Sequence, residues 1–317
     1  MANNKPNGYF QIAAAPLKKQ ASKTSIQSRS GSGLATAKAS STKAIDLDLR
    51  PGQSMELLKA LHILTRDGKI NQDSRRKLKQ VYHLYQFIEK LLQELPATDA
   101  GPTLADHGAG KSYLGFILYD LFFKSLGRGE IYGIETRGEL VAASQALAQS
   151  LGFDRMHFLN TSVAESAKSQ ALPERFDVVT ALHACDTATD DAIDFGLQKH
   201  ARYMVLVPCC QAELAANLRQ NKVFDLKRTP LAELWRHPLH TREMGSQLTN
   251  VLRCLYLEAL GYQVTVTELV GWEHSMKNEL IIAKYTGQKK QSASDRLKAL
   301  LNEFGLEALL KIRFSRI

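Results

Sequence analysis

The chain is short of several things that would settle its class at once. Its four cysteines, Cys185, Cys209, Cys210 and Cys254, are too sparse for the disulfide framework of a small secreted domain. A reducing compartment is the expectation, and no apolar leader precedes the core, so the cytoplasm is the predicted location. Long hydrophobic runs are absent as well. The most apolar stretch, 114–123, is interrupted by Tyr119 and Asp120 and is too short to cross a bilayer, so it reads as a buried helix and no membrane partner is expected. Acidic residues are missing altogether before Asp46, whereas Lys5, Lys18, Lys19, Lys23, Arg29, Lys38 and Lys43 all fall there. Residues 13–44 are also poor in large apolar side chains, leaving too little burial to offset the entropy of ordering. A disordered basic tail is therefore expected over 1–45. It shares its Ser and Lys content with organellar transit peptides, but arginine is scarce and the apolar face is weak. No internal repeat occurs.

What remains is ordinary for a globular protein. With 317 residues, 44% hydrophobic and 23% charged, there is material for one substantial α/β domain and a smaller helical unit. The net charge of +9 invites a phosphate-bearing partner. Seven of those charges sit in the tail, however, so the body is only slightly basic. Charge alone does not assign RNA.

Residues 46–100 read as a helical hairpin. Met55, Leu58, Leu61, His62 and Leu64 share one helical face up to the Asp67-Gly68 turn. A second helix over about 73–95 follows, with Leu78, Val81, Leu84, Tyr85, Ile88, Leu91 and Leu92 in register. Arg75, Arg76, Lys77 and Lys79 crowd its first turns, against the macrodipole, which favours a nearby anion. Acids such as Asp73 and Glu89 nearly neutralise the hairpin, and a solvated face is the competing reading.

From residue 103 short apolar runs alternate with helical stretches, the pattern of a mostly parallel sheet covered on both faces. Strands are predicted at 103–106, 131–134, 156–159, 176–182 and 203–207, with helices at 112–126, 138–151, 190–199 and 212–220. The rhythm breaks over 222–242, a proline-containing segment with Arg228, Trp235, Arg236, His237, His240 and Arg242. It reads either as a lid over a nucleotide or as an ordinary loop anchored by Trp235. A helix over 245–260, strands at 263–270 and 279–285, and a surface helix over 292–304 complete the chain. The layout is thus a tail (1–45), a hairpin (46–100), an α/β domain (101–288) and a helical C-terminus (289–317).

The strongest motif is Asp106-His107-Gly108-Ala109-Gly110-Lys111-Ser112, where the first strand turns into a helix. Glycines there permit positive φ and close approach of a ligand to the backbone. Glu135, ending the next strand, is suited to accept both hydroxyl protons of a ribose. A Walker A loop ends in Gly-Lys-Ser as this one does, but Ala105 stands where its first glycine belongs, and Asp106 would face phosphates. A dinucleotide loop would need a third glycine where Tyr113 stands. A carboxylate followed by two glycines instead suits a cationic nucleoside without a pyrophosphate.

On these residues the chain resembles class I, Rossmann-like S-adenosylmethionine-dependent methyltransferases, over roughly 103–288. The resemblance implies an α/β fold with a seven-stranded, mostly parallel sheet whose last strand is antiparallel. It implies S-adenosyl-L-methionine as cofactor, held by Asp106, Gly108, Gly110 and Glu135, with Ser162 and Val163 flanking the adenine and Leu182 and His183 at the fourth strand's end. Ser112 replaces the family's frequent third glycine. The His183-Ala184-Cys185 and Pro208-Cys209-Cys210 motifs resemble those of a little-characterised branch. That branch also occurs in ribosomal-RNA-adenine-dimethylase-domain and glutathione-S-transferase-C-terminal-domain proteins.

His183, Cys185, Asp186, Cys209 and Cys210 follow strands four and five, whose carboxyl ends line the ligand crevice of such sheets. His183 suits proton removal from an attacking nitrogen. Cys185 or Cys209 suits thiolate attack on a pyrimidine. Zinc is a third option, disfavoured by the vicinal Cys209-Cys210 spacing, and no metal is expected. Packing around the cofactor is the competing role for these thiols, above all for Cys210 and Cys254. The Asn-Pro-Pro-Tyr type of adenine site is absent. Lys277 and Asn278 precede the last strand, where a substrate would pass. RNA is the first substrate expectation and protein the second. An NTPase or a non-catalytic scaffold is the alternative.

Overall fold

The computed structural model describes residues 49–182, 186–208, 212–220, 230–269 and 278–317, and among these lies one compact unit. The predicted tail over 1–45 lies outside the described residues.

The elements run α1 (Met55–Ala60), α2 (Gln72–Gln93), β1 (Thr103–His107), α3 (Tyr113–Leu118), a π-helical turn (Tyr119–Phe123), α4 (Lys124–Leu126), β2 (Glu130–Glu135), α5 (Gly138–Ser150) and β3 (Met156–Asn160). There follow α6 (Val163–Ser166), β4 (Val178–Leu182), α7 (Ala188–Gln198), β5 (Tyr203–Val207), α8 (Glu213–Gln220), a 3-10 turn (Pro230–Trp235) and α9 (Pro238–Ala259). Strands β6 (Tyr262–Glu268) and β7 (Glu279–Tyr285) and helices α10 (Gln291–Glu303) and α11 (Ala308–Arg313) close the chain. The seven strands form one sheet in the order β3-β2-β1-β4-β5-β7-β6. β1 to β5 pair in parallel, and β7 runs antiparallel to both of its neighbours. This is the expected Rossmann-like methyltransferase sheet. The strand order reverses on either side of β1, so a crevice opens beside the end of that strand.

Alternation along the strands feeds two cores. Leu104, Ile131, Val178, Tyr203, Val205 and Leu280 face a layer built from α1, α2 and α3. Ala105, Ile134, Val179, Met204, Leu206 and Ile281 face α7 to α11. The hairpin is therefore one of the layers covering the sheet: Leu57, Leu58, Leu84 and Ile88 are almost wholly buried in the first core. The C-terminal helices likewise cover the other face, α10 through Ala293, Leu297 and Leu301, with Leu309 and Phe314 beyond it.

Some local expectations need correction. α1 ends at Ala60, well before Asp67-Gly68, because the chain turns left-handed at His62 (φ 58°) and Ile63 N–H donates back to Leu58 O. His62 and Met55 thus lie outside the buried face, which Leu57, Leu58 and Leu61 form. α9 starts at Pro238, seven residues earlier than the apolar pattern suggests, since a proline at the first helical position leaves no donor unsatisfied. His240 and Arg242 are helical residues for that reason. The buried helix over 112–126 contains the π-helical turn, and there Asp120 accepts from Gln53 Nε2 (2.5 Å) and Ser54 N (2.7 Å), fastening the hairpin to the sheet layer. No helix among the described residues is long and apolar enough to cross a membrane.

Gly101 enters β1 at φ 75°, and a Cβ there would lie 2.5 Å from Gly129 N. Gly101→Ala is expected to destabilise the protein by about 2–3 kcal/mol, through left-handed strain and displacement of that backbone. Urea denaturation would read it as a lower midpoint at unchanged slope.

Candidate active site

β1 carries Asp106 to the crevice, and the following turn consists of Gly108 (φ 63°), Ala109, Gly110 (φ 57°), Lys111 and Ser112 (φ 52°). Three consecutive amides of this turn are already committed. Gly108 N and Ala109 N donate to Ile134 O, at 3.0 and 3.2 Å, and Gly110 N donates to Glu135 Oε2 at 2.8 Å. A phosphate-cradling loop must offer such N–H groups to its ligand. Together with the acid at Asp106, this counts against the NTPase reading. Ser112 stands at a left-handed position, with a fully buried hydroxyl that finds no partner among the described residues.

Asp106 is 2% exposed, and its carboxylate accepts from Thr180 Oγ1 (2.7 Å), its register partner on β4. Burial drives its pKa up to about 7, against the opposing effect of the Thr180 hydroxyl. A cation arriving beside such a carboxyl favours its ionised form. Glu135 is arranged differently. Burial works to raise its pKa, but the Arg137 guanidinium, the Arg137 N–H and the Gly110 N–H outweigh it, and the pKa falls to about 2. Arg137 Nε and one terminal nitrogen donate to its two oxygens at 3.0 and 3.1 Å. Since Arg137 is more than half exposed, a ribose can take its place on the carboxylate by swinging that side chain outward.

A cavity of about 310 Å³ lies against Asp106 and the turn, lined by Asp106, Gly108, Ala109, Gly110, Lys111, Tyr113, Leu114, Arg137 and Leu182. Its size falls in the range of small-molecule sites, roughly 300–1,000 Å³. Lys77, Gln80 and Val81 of α2 complete the wall. A larger cavity of about 440 Å³ lies elsewhere, near Leu92, Pro102 and Arg202, and contains none of the predicted site residues.

The other predicted residues divide. Ser162 caps α6 in a reciprocal box with Glu165, and Val163 is partly buried against the second core, both just beyond β3. Asp186 sits at φ 53°, and its carboxylate accepts from Ala212 N (2.9 Å) and Glu213 N (3.1 Å) at the start of α8. It thereby ties the chain after β4 to the chain after β5. His183, Cys185, Cys209, Cys210, Arg228 and Lys277 lie outside the described residues, as does the side chain of Trp235. Cys254 is apart from the crevice on α9, with its thiol pushed up to about 12 by burial, an unreactive state. Arg236 and Arg242 are engaged by Glu233 and Glu243. Among the described residues no group of side chains suits a metal ion.

Two residues were missed by sequence reasoning. His107, next to Asp106, is completely buried edge-on to Phe195 (4.3 Å), has no hydrogen-bond partner among the described residues, and is held neutral by burial with a pKa near 3. Arg253, 1% exposed, forks onto Asp190 (2.8 and 2.6 Å) and donates to Asp186 O (2.9 Å) and Asn250 Oδ1 (3.2 Å). The signal for it was available: an arginine among the inward Leu248, Leu252, Leu255 and Tyr256 of α9 calls for a buried acid.

Residues 76–217 match the family model described as a methyltransferase domain. Over that stretch the chain is similar to methyltransferase domains. No curated protein matches it. Among solved structures it is similar to the magnesium protoporphyrin IX methyltransferase of Synechocystis PCC 6803 with bound SAH, at 15% identity over 73% of this chain and 94% of that one (TM-score 0.42). A Streptococcus thermophilus rRNA methylase shares 9% identity over 63% and 94% of the two chains (TM-score 0.38). For a putative caffeoyl-CoA O-methyltransferase from Staphylococcus aureus the values are 9%, 74% and 93% (TM-score 0.42). The acceptors named are so different that these likenesses carry no argument about the substrate.

Proposed function

We propose that this chain is an S-adenosylmethionine-dependent methyltransferase acting on RNA, and that its cofactor lies in the crevice between β1 and β2. In this reading Glu135 accepts the ribose hydroxyl protons, Ser162 and Val163 flank the adenine, and the Gly108–Gly110 turn lies under the nucleoside. Asp106 faces the cationic amino-acid end, and Leu182 closes the crevice at β4. S-adenosylmethionine supplies an electrophilic methyl group, and the chain's contribution is to position an acceptor in line with it.

The observation that carries the RNA reading is the placement of α2. Its Lys77 lines the cofactor cavity, and Arg75, Arg76 and Lys79 stand on the same first turns. A phosphate backbone entering there meets clustered positive charge beside the methyl donor. Of the candidate reacting groups, His183 suits the proton acceptor and Cys185 or Cys209 a thiolate nucleophile. Asp186, whose carboxylate already caps α8, suits holding their two loops together.

Incubation with methyl-labelled S-adenosylmethionine and deproteinised cellular RNA is expected to label RNA, and nucleoside mass spectrometry of cells with and without the protein would identify the base. Label found only in protein would replace RNA by a polypeptide acceptor. For the thiolate, wild-type enzyme is expected to be captured covalently on 5-fluorocytidine RNA, with capture lost in Cys185→Ala or Cys209→Ala. Failure of the intact enzyme to form the adduct rejects that chemistry.

Glu135→Ala is expected to weaken S-adenosylhomocysteine binding by about 10-fold or more, because charge-assisted hydrogen bonds are lost. Calorimetry reads this directly, and unchanged affinity would remove Glu135 from the site.

A further inference from the structure

Helix α2 lies outside the sheet, yet Lys77, Gln80 and Val81 line the same cavity as Asp106, Gly110 and Leu182. Among the described residues, three cations reach that cavity: Lys77, Lys111 and Arg137. Arg137 is committed to Glu135. The Lys77 ammonium stands 4.8 Å above the ring of Tyr113, itself a wall of the cavity, and that contact keeps it at the site instead of trailing in solvent. No salt bridge engages Lys77 among the described residues.

The strand order β2-β1-β4 fixes how a ligand must lie. With its ribose on Glu135 at the end of β2, the rest of the molecule crosses β1 toward Leu182 of β4 and the wall formed by α2. That remaining part is a zwitterion, which calls for an acid for its ammonium group and a base for its carboxylate. Asp106 is the acid in this part of the cavity. We infer that Lys77 is the base: it binds the carboxylate of the cofactor's amino-acid end, so the N-terminal hairpin completes the cofactor site. This rests on the cofactor placement proposed above. It also gives Lys77 a counter-ion, the acid of the first turn, Asp73, being paired with Arg76 (3.7 Å).

The test compares two ligands by calorimetry on the full chain: S-adenosylhomocysteine, which has the amino-acid end, and 5′-methylthioadenosine, which does not. Lys77→Met is expected to weaken S-adenosylhomocysteine by about 10-fold or more and to leave 5′-methylthioadenosine unchanged, with Lys77→Arg retaining most of the affinity. Lys77 is exposed, so the variants are expected to melt as the wild type does. Equal losses for both ligands, no loss for either, or a selective loss in Lys111→Met instead would overturn the assignment. Failure of the wild type to bind either ligand would overturn the cofactor placement itself, and the role of Lys77 with it.

Discussion

Asp106→Asn is expected to stabilise the ligand-free protein at neutral and alkaline pH while depriving it of its cofactor. The ordinary carboxyl pKa of 3.8 rises to about 7 at this buried site. Below the lower value the group is protonated in both folded and unfolded chains and costs nothing. Between the two values the unfolded chain ionises freely while the folded one stays protonated, so stability falls as pH rises. Above pH 7 the full cost applies, on the order of 4 kcal/mol. Asparagine keeps an acceptor for Thr180 and removes the charge. Its melting temperature is therefore expected to exceed that of wild type by several degrees at pH 8 and by much less at pH 5. The same charge is what a cationic ligand needs. Wild-type affinity for S-adenosylmethionine is expected to rise from pH 6 to pH 8, with a proton released on binding at the lower pH, and the variant is expected to lose both the affinity and its pH dependence. Thermal melts at the two pH values, with calorimetry in buffers of different ionisation heat, check this. A variant less stable than wild type at pH 8 would contradict it.

Arg253→Met is expected to cost about 3–5 kcal/mol, the largest loss from any single change considered, because it leaves Asp190 as an unpaired, largely buried carboxylate. Asp186 O loses a donor at the same time. The double variant Arg253→Met, Asp190→Leu is expected to recover at least half of that loss, since it removes the stranded charge. Urea denaturation of the two variants and the wild type at pH 7 measures the difference. A single variant within about 1 kcal/mol of wild type would show that the pair is not the fastener it resembles. Because Arg253 also holds Asp186, and Asp186 holds the start of α8, the single variant should loosen the chain after both β4 and β5.

Much of the fold was legible because its signals are local and periodic. The strands that became β1 to β5 are short apolar runs bounded by turns, and the helices between them keep the 3.6-residue period. The turn after β1 could be read as a turn because glycines at a strand end supply the positive φ it needs. Less legible was whatever depends on residues distant in sequence. The start of α9 was hidden by its polar first turns, His240 and Arg242 among them. The role of the hairpin was hidden because an amphipathic helix does not reveal which surface it covers; only the packed chain brings Lys77 to Asp106's cavity. In the same way, an isolated Asp186 in a loop gives no hint that its carboxylate will cap a helix 26 residues further on. Ala105 and Asp106 already weighed against a phosphate loop, and the packed chain adds the commitment of the turn's backbone donors, which no side-chain pattern encodes.

The most direct test is a titration of the wild-type chain with S-adenosylhomocysteine and, separately, with magnesium ATP. Saturable one-to-one binding of S-adenosylhomocysteine, weakened about 10-fold or more in Asp106→Ala and Glu135→Ala and accompanied by no heat from ATP, is the expected result. Tight ATP binding with none of S-adenosylhomocysteine would contradict the account at its centre.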